Sequence, residues 1–391
     1  MKNKIHSYID NIALELNNMA DNIFDNPEEG LKEYKACDLL CDYLKEKEFK
    51  VEKGIGGFET AFRAVYEFGT GGPSIGLLCE YDALANIGHA CGHHMQGPAI
   101  LGAAIALKEV VKDQPFKVVV YGTPAEETIG GKLQMVKEGC FKDIDVAMMM
   151  HGGPETTTDV KSLAMSKFKV IFNGKSAHAA LKPENGKSAL DALILSFQGI
   201  EFMREHVVDD VRMHYTILSA GGTAANVVPA QAIGSFYVRS YNRDYLNDVI
   251  RRFRNVMKGA ALMTDTEYEI ITEKEIDNKI PVLSLNDIVM ENAKLVNAPT
   301  IRPPRQKTGS TDFGSVMYQV PGTCIRIAFV EEGTSSHSEE YLKAGKTDEA
   351  HNAIMLSAKI LADSAYDLIS NKELFDEVKE EFIRAKEAAK K

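Results

Sequence analysis

The chain has 391 residues, 45% of them hydrophobic, and a formal net charge of −11 at pH 7. This length exceeds one typical domain, so we expect two domains, each with its own core. The acidic balance argues against a nucleic-acid-binding surface, because binding to phosphates requires a basic field. A small-molecule substrate is the better expectation. We expect neither a signal peptide nor a membrane span, because no apolar run has the required length.

The six cysteines are scattered along the chain. Their spacing matches neither a secreted disulfide framework nor a structural zinc knuckle. We therefore expect reduced thiols in a cytoplasmic protein. The cysteines are Cys37, Cys41, Cys79, Cys91, Cys140 and Cys324.

Apolar runs of strand length alternate with helical patterns through the first 150 residues. In chain order these are the strand SIGLLCEYD, the helix PAILGAAIALKEVV, the strand FKVVVYGTP, the helix GKLQMVKEG and the strand DVAMMMH. Such alternation, with runs apolar on both faces, indicates an α/β domain with a mostly parallel mixed sheet flanked by helices. In such sheets the ligand crevice lies beyond the carboxyl ends of the strands.

The order of elements changes near residue 164. Strand SKFKVIFNG precedes a helix, two strands, a second helix and strand EYEIITEKE, which is the βαββαβ order of a ferredoxin-like unit. After about residue 276 the first pattern resumes. We therefore predict a catalytic domain of residues 1–164 and 276–391, interrupted by an inserted domain of residues 165–275.

Polar residues follow several predicted strands of the first domain. Segment GHACGHH, residues 88–94, adds a cysteine and histidines close to the first of these strands. Since the carboxyl ends of parallel strands share one edge, a single crevice could gather these side chains. Carboxylates, imidazoles and one thiolate together suit zinc or another first-row divalent ion. The residues are Asp82, Cys91, His93, Glu126, Glu127, His151 and His337.

Cys91 and His93 are separated only by Gly92, so both side chains can face one side of a loop. Glycine also leaves space where the backbone passes close to an ion. A single histidine is more often a surface or core residue than a ligand, and a lone cysteine is usually a small buried hydrophobe. Next to a helix start, Cys91 could instead be a nucleophile. The combination of residues favours a metal site.

The adjacent glutamates of PAEET, Glu126 and Glu127, follow an apolar strand. Neighbouring side chains in an extended segment point different ways, so one can bind metal while the other faces an attacking water. This division supplies a ligand and a general base. On an ordinary surface the same pair would be only solvated charge.

Six motifs occur in order along the chain: EYDALANIGHACGHH, PAEE, His151 directly after its strand, GKSAHA, NVVPA and SSHSEEY. Together with the inserted domain, they resemble the metallopeptidase family of aminoacylases, bacterial glutamate carboxypeptidase and auxin-conjugate amidohydrolases. The resemblance covers essentially the whole chain. The CGH loop resembles the amidohydrolase subgroup, and EYDAL, GHACGH and GSTDFG look most like aminobenzoyl-glutamate hydrolase subunits and β-alanyl-lysine dipeptidases.

The resemblance implies a metal-dependent amidohydrolase or dipeptidase that cleaves an N-acyl or aminoacyl amide and releases a free amino acid. It implies one or two divalent ions per subunit. The thiolate favours zinc, whereas carboxylates and imidazoles would also accept manganese, cobalt or nickel. The implied ligands are Cys91, His93, Glu127, His151 and His337.

The same resemblance gives roles to residues outside the ligand set. Glu126 would be the general base, and Asp82 a carboxylate beside the metal centre. His178 of GKSAHA would reach into the active site of a second subunit and stabilise the developing oxyanion. A homodimer is therefore expected, with the inserted domain serving as lid and dimerisation domain.

Asn226, Arg239 and Ser310 are further candidates, for substrate binding. Arginine can grip a carboxylate in bidentate fashion. A turn residue and an edge-strand charge are simple alternative accounts of Asn226 and Arg239. Gly309, Ser310 and Asp312 of TGSTDFG could line the pocket or begin a helix as its N-cap.

Two positions depart from the family pattern. Other branches carry His-x-Asp where this chain has Glu80-Tyr81-Asp82, so one usual histidine ligand is missing and the number of metals is open. His94 stands where relatives place aspartate or asparagine, and it could bind metal, orient a neighbour or tune the pocket. His89 is expected to be a structural residue or a neighbour of the ligands.

Three alternative functions compete with a metallohydrolase. Cys91 could be the nucleophile of a thiol hydrolase with a histidine as base. The chain could also be a non-catalytic binding protein on a peptidase scaffold, although the Glu126 and Glu127 pair argues against that. Dinucleotide binding is weaker still, because GIGG and GTGG lack the spaced glycine fingerprint between a strand and a helix.

Overall fold

The computed structural model describes residues 1–389. The chain divides into two compact units, which we describe separately. The first contains Met1–Lys161 and Lys279–Ala388, and the second contains Ser162–Asn278 together with Ala389. Within the described residues, no helix combines the length and apolar character needed to cross a bilayer.

The first unit is an α/β domain. Its strands are β1 (Lys50–Lys53), β2 (Phe62–Phe68), β3 (Ser74–Cys79), β4 (Phe116–Gly122), β5 (Val146–Gly153), β6 (Thr157–Thr158) and β11 (Gly322–Ala328). Its helices are α1 (Lys2–Asn11), α2 (Ala13–Asp25), α3 (Tyr34–Glu46), α4 (Gln96–Val110), α5 (Gly131–Lys137), α8 (Leu283–Leu295), α9 (Phe313–Met317), α10 (Glu339–Lys343), α11 (Asp348–Ser370) and α12 (Lys372–Ala389).

The seven strands form one mixed sheet in the order β1-β2-β4-β3-β5-β11-β6. The four central strands β4, β3, β5 and β11 are mutually parallel, while β1, β2 and β6 join antiparallel at the edges. The predicted fold, a mostly parallel mixed sheet flanked by helices, is confirmed. All four central strands end at one edge, which gathers the residues that follow them.

Both faces of this sheet are covered, which explains why the central strands are apolar throughout. Helix α4 is buried along almost its whole length, and its small residues allow close packing: Gly102 lies against Leu16 and Ala358. On the opposite face, Met135 of α5 and Phe313 of α9 pack with Met149 and Cys324 of the strands.

The second unit has the predicted βαββαβ order. Its elements are β7 (Ala164–Asn173), α6 (Ala189–Arg204), β8 (Arg212–Ser219), β9 (Gln231–Ser240), α7 (Arg243–Thr264) and β10 (Glu267–Ile276). The strands form an antiparallel sheet in the order β10-β7-β9-β8. Both helices pack on one face, where Phe168, Phe236 and Phe253 lie in the core. Strand β8 is left as an edge of the sheet.

Candidate functional site

A cavity of about 260 Å³ opens at the carboxyl ends of the central strands in the first unit. It collects side chains from four strand ends and from the loops that follow them. Most of the polar residues predicted from the first unit line it. The lining residues are Glu80, Cys91, Glu126, Glu127, Met149, His151, Lys279, Ser310, Thr311, Phe313, Cys324, Arg326, Ser336 and His337.

The described residues form four groups of potential metal ligands. Two contain Glu126, with His93 and Glu127 or with Glu80 and Asp312, and the other two share Cys91. Cys91 lies with His93 and His151 in one group, and with Glu127 and His337 in the other; within each group the ligand atoms are within 4.8 Å of one another. The Cys91 Sγ atom is 3.6 Å from His151 Nε2. His337 Nε2 is 3.3 Å from Glu127 Oε1. The five predicted ligands therefore form two sets of three, with Cys91 common to both.

The backbone of this region is shaped for the convergence. Gly92, between Cys91 and His93, has φ of 80°, and a Cβ atom there would lie 3.0 Å from Met95 Cε. Such a left-handed φ favours glycine. His337 and Ala125, which precedes Glu126, also have positive φ values of 65° and 61°. Conformations of this kind in non-glycine residues cluster at functional sites.

Asp82 contacts one residue of each of the two ligand groups that share Cys91. Its Oδ1 lies 3.1 Å from His93 Nδ1, and its Oδ2 accepts a hydrogen bond from the Glu127 backbone N–H at 2.9 Å. On the other side of the ring, His93 Nε2 lies 3.2 Å from Glu80 Oε2 and 3.9 Å from Glu127 Oε1. Both His93 Nε2 and Glu127 Oε1 are buried without a hydrogen-bond partner. Buried polar atoms are rarely left unpaired, so two orphaned ligand atoms beside a thiol fit a bound divalent ion.

The two imidazoles of the first ligand group differ in charge state. Burial opposes protonation of His93, but Cys91 and Glu80 outweigh burial and raise the pKa of His93 well above its usual range. Burial, together with Arg326, lowers the pKa of His151 to about 3, so this imidazole is neutral at pH 7 and free to coordinate. Burial raises the pKa of Cys91 to about 12. The thiol therefore stays protonated unless a cation stabilises the thiolate.

Glu126 differs from its neighbour Glu127. Burial, with the nearby carboxylates of Glu80 and Asp312, raises the pKa of Glu126 well above its usual range. A carboxylate with a raised proton affinity is the property that a general base at neutral pH requires.

A sequence model described as Peptidase family M20/M25/M40 matches residues 80–363. The chain belongs to this family. It is therefore a hydrolase that acts on amide bonds, as the motif resemblance implied.

Full-length relatives within the M20/M25/M40 family agree with this assignment. One of the p-aminobenzoyl-glutamate hydrolase proteins of Escherichia coli is 30% identical, over 97% of this chain and 95% of that protein. The Xaa-Arg dipeptidase of Mus musculus is 31% identical, over 98% and 92%. A dinuclear metal binding peptidase of family M20 from Bacillus subtilis has the same fold, with a TM-score of 0.69, 17% identity, and coverage of 92% of this chain and 99% of that one.

A buried ion cluster beside the M20 site was not foreseen from the sequence. Lys132 Nζ donates to Glu80 Oε1 at 2.5 Å and to Asp312 Oδ1 at 2.9 Å, and all three side chains are almost fully buried. Gln96 completes the set by donating to Glu80 at 2.8 Å. Asp312 stands at the N-cap position of α9, but its side chain makes no cap hydrogen bond. It instead accepts from Lys132, at both the ammonium and the backbone N–H.

His94 and His89 lie behind the metal-ligand loop. His94 Nε2 is 2.8 Å from the carbonyl oxygen of Gly345, and its ring packs edge-on against Phe24. Burial lowers the pKa of His94 to about 4 and that of His89 to about 2, so both rings are neutral. Among the described residues, neither histidine belongs to a ligand group. Of the three roles considered for His94, its position fits orientation of the surrounding loop.

The remaining candidates lie in the second unit. His178 and Asn226 are exposed and adjacent, because His178 pairs with Val227 and the Ala179 N–H donates to the Asn226 carbonyl at 2.9 Å. Arg239 lies near the other end of β9, paired with Met165, whereas the first residue of that strand pairs with Asn173. The structure therefore groups two of these three residues and places Arg239 apart from them within this unit.

Proposed function

We propose that this enzyme is an amidohydrolase that uses two divalent ions per subunit to cleave an N-acyl or aminoacyl amide and release a free amino acid. The observation that carries the proposal is the pair of ligand groups that share Cys91 next to Glu126. A shared thiolate between two three-ligand sets is an arrangement for two neighbouring ions. We place the enzyme in the cytoplasm, in keeping with six free cysteines.

Cys91, His93 and His151 would hold one ion, and Cys91, Glu127 and His337 the other. The mixture of thiolate, imidazole and carboxylate suits zinc first, with manganese, cobalt or nickel also acceptable. Bound ions would polarise the amide carbonyl and make an attacking water more acidic. Asp82 would keep His93 and Glu127 in place, since partners of metal ligands fix ligand orientation.

Glu126 would act as the general base. Its carboxyl lies within 4.8 Å of ligand atoms of His93 and Glu127, and this position and its raised pKa suit removal of a proton from the attacking water. The same carboxyl would then donate that proton to the leaving amine, so that the acid and base steps use one residue. Ser310, whose hydroxyl is buried without a hydrogen-bond partner in the wall of the cavity, is available to the substrate.

The second unit would serve as lid and dimerisation domain. His178 would stabilise the oxyanion in the active site of a partner subunit, while Asn226 and Arg239 would bind the substrate. A homodimer is supported by the free edge of the sheet. Tyr215 and Ile217 of β8 are 37% and 47% exposed, and Phe202 of the neighbouring helix α6 is 72% exposed. An unpaired edge with exposed apolar side chains is suited to pairing with a second chain.

A thiol hydrolase built on Cys91 is the second candidate, and the charge states disfavour it. A nucleophilic cysteine needs a lowered pKa, whereas burial raises the pKa of Cys91 to about 12. A purely binding role would leave the base Glu126 without a task.

Removal and return of metal separates these functions. The protein is stripped with a chelator, and hydrolysis of a panel of N-acyl amino acids and dipeptides is followed by release of free amine. We expect the activity to vanish and to return with two equivalents of zinc or manganese per subunit. Activity that survives exhaustive chelation would reject the metal mechanism in favour of the thiol one.

Cobalt substitution tests the shared ligand directly. A cobalt-loaded protein should show sulfur-to-cobalt charge-transfer absorption that disappears in Cys91→Ser. Cys324→Ser is the matched control, because Cys324 lines the same cavity but belongs to neither shared ligand group. Loss of the absorption in Cys324→Ser, or its persistence in Cys91→Ser, would contradict the ligand assignment.

A further inference from the structure

Arg326 is a cationic side chain in the catalytic cavity to which neither the metal centre nor the base gives a role. It lies on β11 directly opposite His151 of the parallel strand β5. Residues paired in this way project from the same face of a sheet, and Arg326 accordingly lines the cavity beside His151, with 25% of its side chain exposed.

The obvious partner of Arg326 is already occupied. Asp159 accepts from Lys279 Nζ at 2.8 Å through one oxygen, and from Arg305 through the other, with contacts of 2.6 and 2.7 Å. Arg326 Nε is 3.6 Å from the same carboxylate, outside hydrogen-bond distance, and has no hydrogen-bond partner. One carboxylate therefore faces three cationic groups. Lys279 and Arg326 both border the cavity, and of the three Arg326 contacts the carboxylate least closely.

A guanidinium left with an unpaired buried N–H is costly unless an anion completes it. Its planar fork matches a carboxylate. Among the described residues, the one carboxylate in an ion-pair contact with Arg326 is Asp159, which already accepts from Lys279 and Arg305. The missing partner is therefore expected to arrive with the substrate.

We propose that Arg326 binds a carboxylate on the substrate's amino-acid side chain, which makes amides of acidic amino acids the preferred substrates. This inference rests on the proposed amidohydrolase function and narrows its substrate class. The names of two full-length relatives indicate different substrate side chains. One is a p-aminobenzoyl-glutamate hydrolase, with an acidic side chain, and the other is an Xaa-Arg dipeptidase, with a basic one. A cationic group in the cavity favours the acidic class and repels a basic side chain.

Three substrates that share one acyl group test the inference. The metal-loaded enzyme is given p-aminobenzoyl-glutamate, p-aminobenzoyl-glutamine and p-aminobenzoyl-arginine, and release of p-aminobenzoate is measured. Glutamine has nearly the shape of glutamate without its charge. We expect kcat/KM for the glutamate amide to exceed that for the glutamine amide by about ten- to a hundredfold, the usual range for a charged hydrogen-bonded contact.

Substitutions then assign that preference to one residue. Arg326→Gln should lose most of the glutamate preference, mainly through KM, with kcat/KM for the glutamate amide falling about ten- to a hundredfold more than that for the glutamine amide. Arg326→Lys should retain part of the preference. Arg305→Gln is the matched control, since Arg305 contacts the same Asp159 but does not line the cavity, and its substrate ratio should equal that of the wild type.

A binding measurement separates failure of the inference from failure of the proposed function. Calorimetry on Glu126→Gln and on Glu126→Gln with Arg326→Gln compares the affinities of the glutamate and glutamine amides without turnover. Tighter binding of the glutamate amide that depends on Arg326 supports the inference. If the wild-type enzyme nevertheless cleaved no amide, only the proposed hydrolase function would be rejected. Equal affinity for both amides, or equal losses on both substrates in Arg326→Gln, would overturn the inference.

Discussion

Asp82 and His93 form the contact on which the geometry of the metal site depends: Oδ1 of Asp82 lies 3.1 Å from Nδ1 of His93. The second oxygen of the same carboxylate holds the backbone N–H of Glu127 at 2.9 Å. One buried side chain thus orients a ligand from each of the two groups. The His93 ring cannot turn away without losing its contact with Asp82, and the bond to the Glu127 N–H holds the backbone from which that ligand projects.

Asp82→Ala should therefore weaken metal binding without removing any ligand. Loss of such a partner typically lowers metal affinity by about ten- to a hundredfold. Competition with a chelator of known affinity would measure the change. Asp113→Ala, at an exposed position, serves as control. Unchanged metal affinity in Asp82→Ala would show that His93 and Glu127 are held by other contacts.

Lys132, which is buried in the interior of the first unit, should be essential to the stability of the protein. Its ammonium is the shared cation for Glu80 and Asp312, and its side chain is fully buried. Lys132→Met would leave two buried carboxylates without it, a defect that typically costs about 3–5 kcal/mol in the free energy of unfolding. Urea unfolding compares this variant with Lys137→Met, an exposed lysine of the same helix. Equal stability of the two variants would mean that the carboxylates are satisfied without Lys132.

The ion cluster around Lys132 marks the boundary of what the sequence could reveal. Strand ends and the ferredoxin-like order follow from apolar periodicity, which depends on local residues. The contact of Lys132 with Glu80 and Asp312 joins positions 52 and 180 residues apart. Within GKLQMVKEG, Lys132 and Lys137 have the same local pattern, yet one is buried and the other exposed. Only the tertiary contacts that α5 makes with Glu80 and Asp312 distinguish them.

The edge strands β1 and β2 escaped prediction for a related reason. Strand β1 has four residues, three of them exposed, and β2 is only partly buried. They therefore lack the continuous apolar run that marks the fully buried β3. Predicted ligands were easier to find, because a cysteine and histidines grouped in a short glycine-containing loop, as in GHACGHH, are chemically unusual wherever they occur.

Acid should selectively remove the stabilisation that Asp159 provides. Burial opposes its ionisation, but Lys279, Arg326 and Arg305 outweigh this effect and hold the pKa of Asp159 below its usual range. Because the folded pKa is lower than the unfolded value of about 3.9, the contribution is complete above that value and is lost as pH falls through the acid range.

The corresponding experiment measures the free energy of unfolding of the wild type and of Asp159→Asn, both in chelator. The measurements are made at about pH 7, 5, 4 and 3, a range that spans the unfolded pKa. The difference in free energy of unfolding should be largest at pH 7 and should shrink toward the lowest pH. Asp113→Asn should show no such dependence. A difference that stayed constant with pH would mean that the pKa of Asp159 is the same in the folded and the unfolded protein.

Complementation between two inactive variants would test whether His178 acts across a dimer. When His178→Ala and Glu126→Gln are co-expressed, a mixed dimer has one site with both residues intact. Random pairing should then restore about a quarter of wild-type activity. Co-expression of Cys91→Ser with Glu126→Gln is the control, because no mixed dimer has a complete site. Failure of the first pair to recover activity would place His178 outside the partner's site.

The turnover of metal-loaded Glu126→Gln, with metal per subunit determined on the same sample, tests the division of roles between Glu126 and Glu127 most directly. We predict two ions per subunit, as in the wild type, with kcat lowered by about 10² to 10⁴, the usual contribution of a general base. Loss of metal from Glu126→Gln, with full activity after reconstitution, would show that Glu126 is a ligand and that the base lies elsewhere.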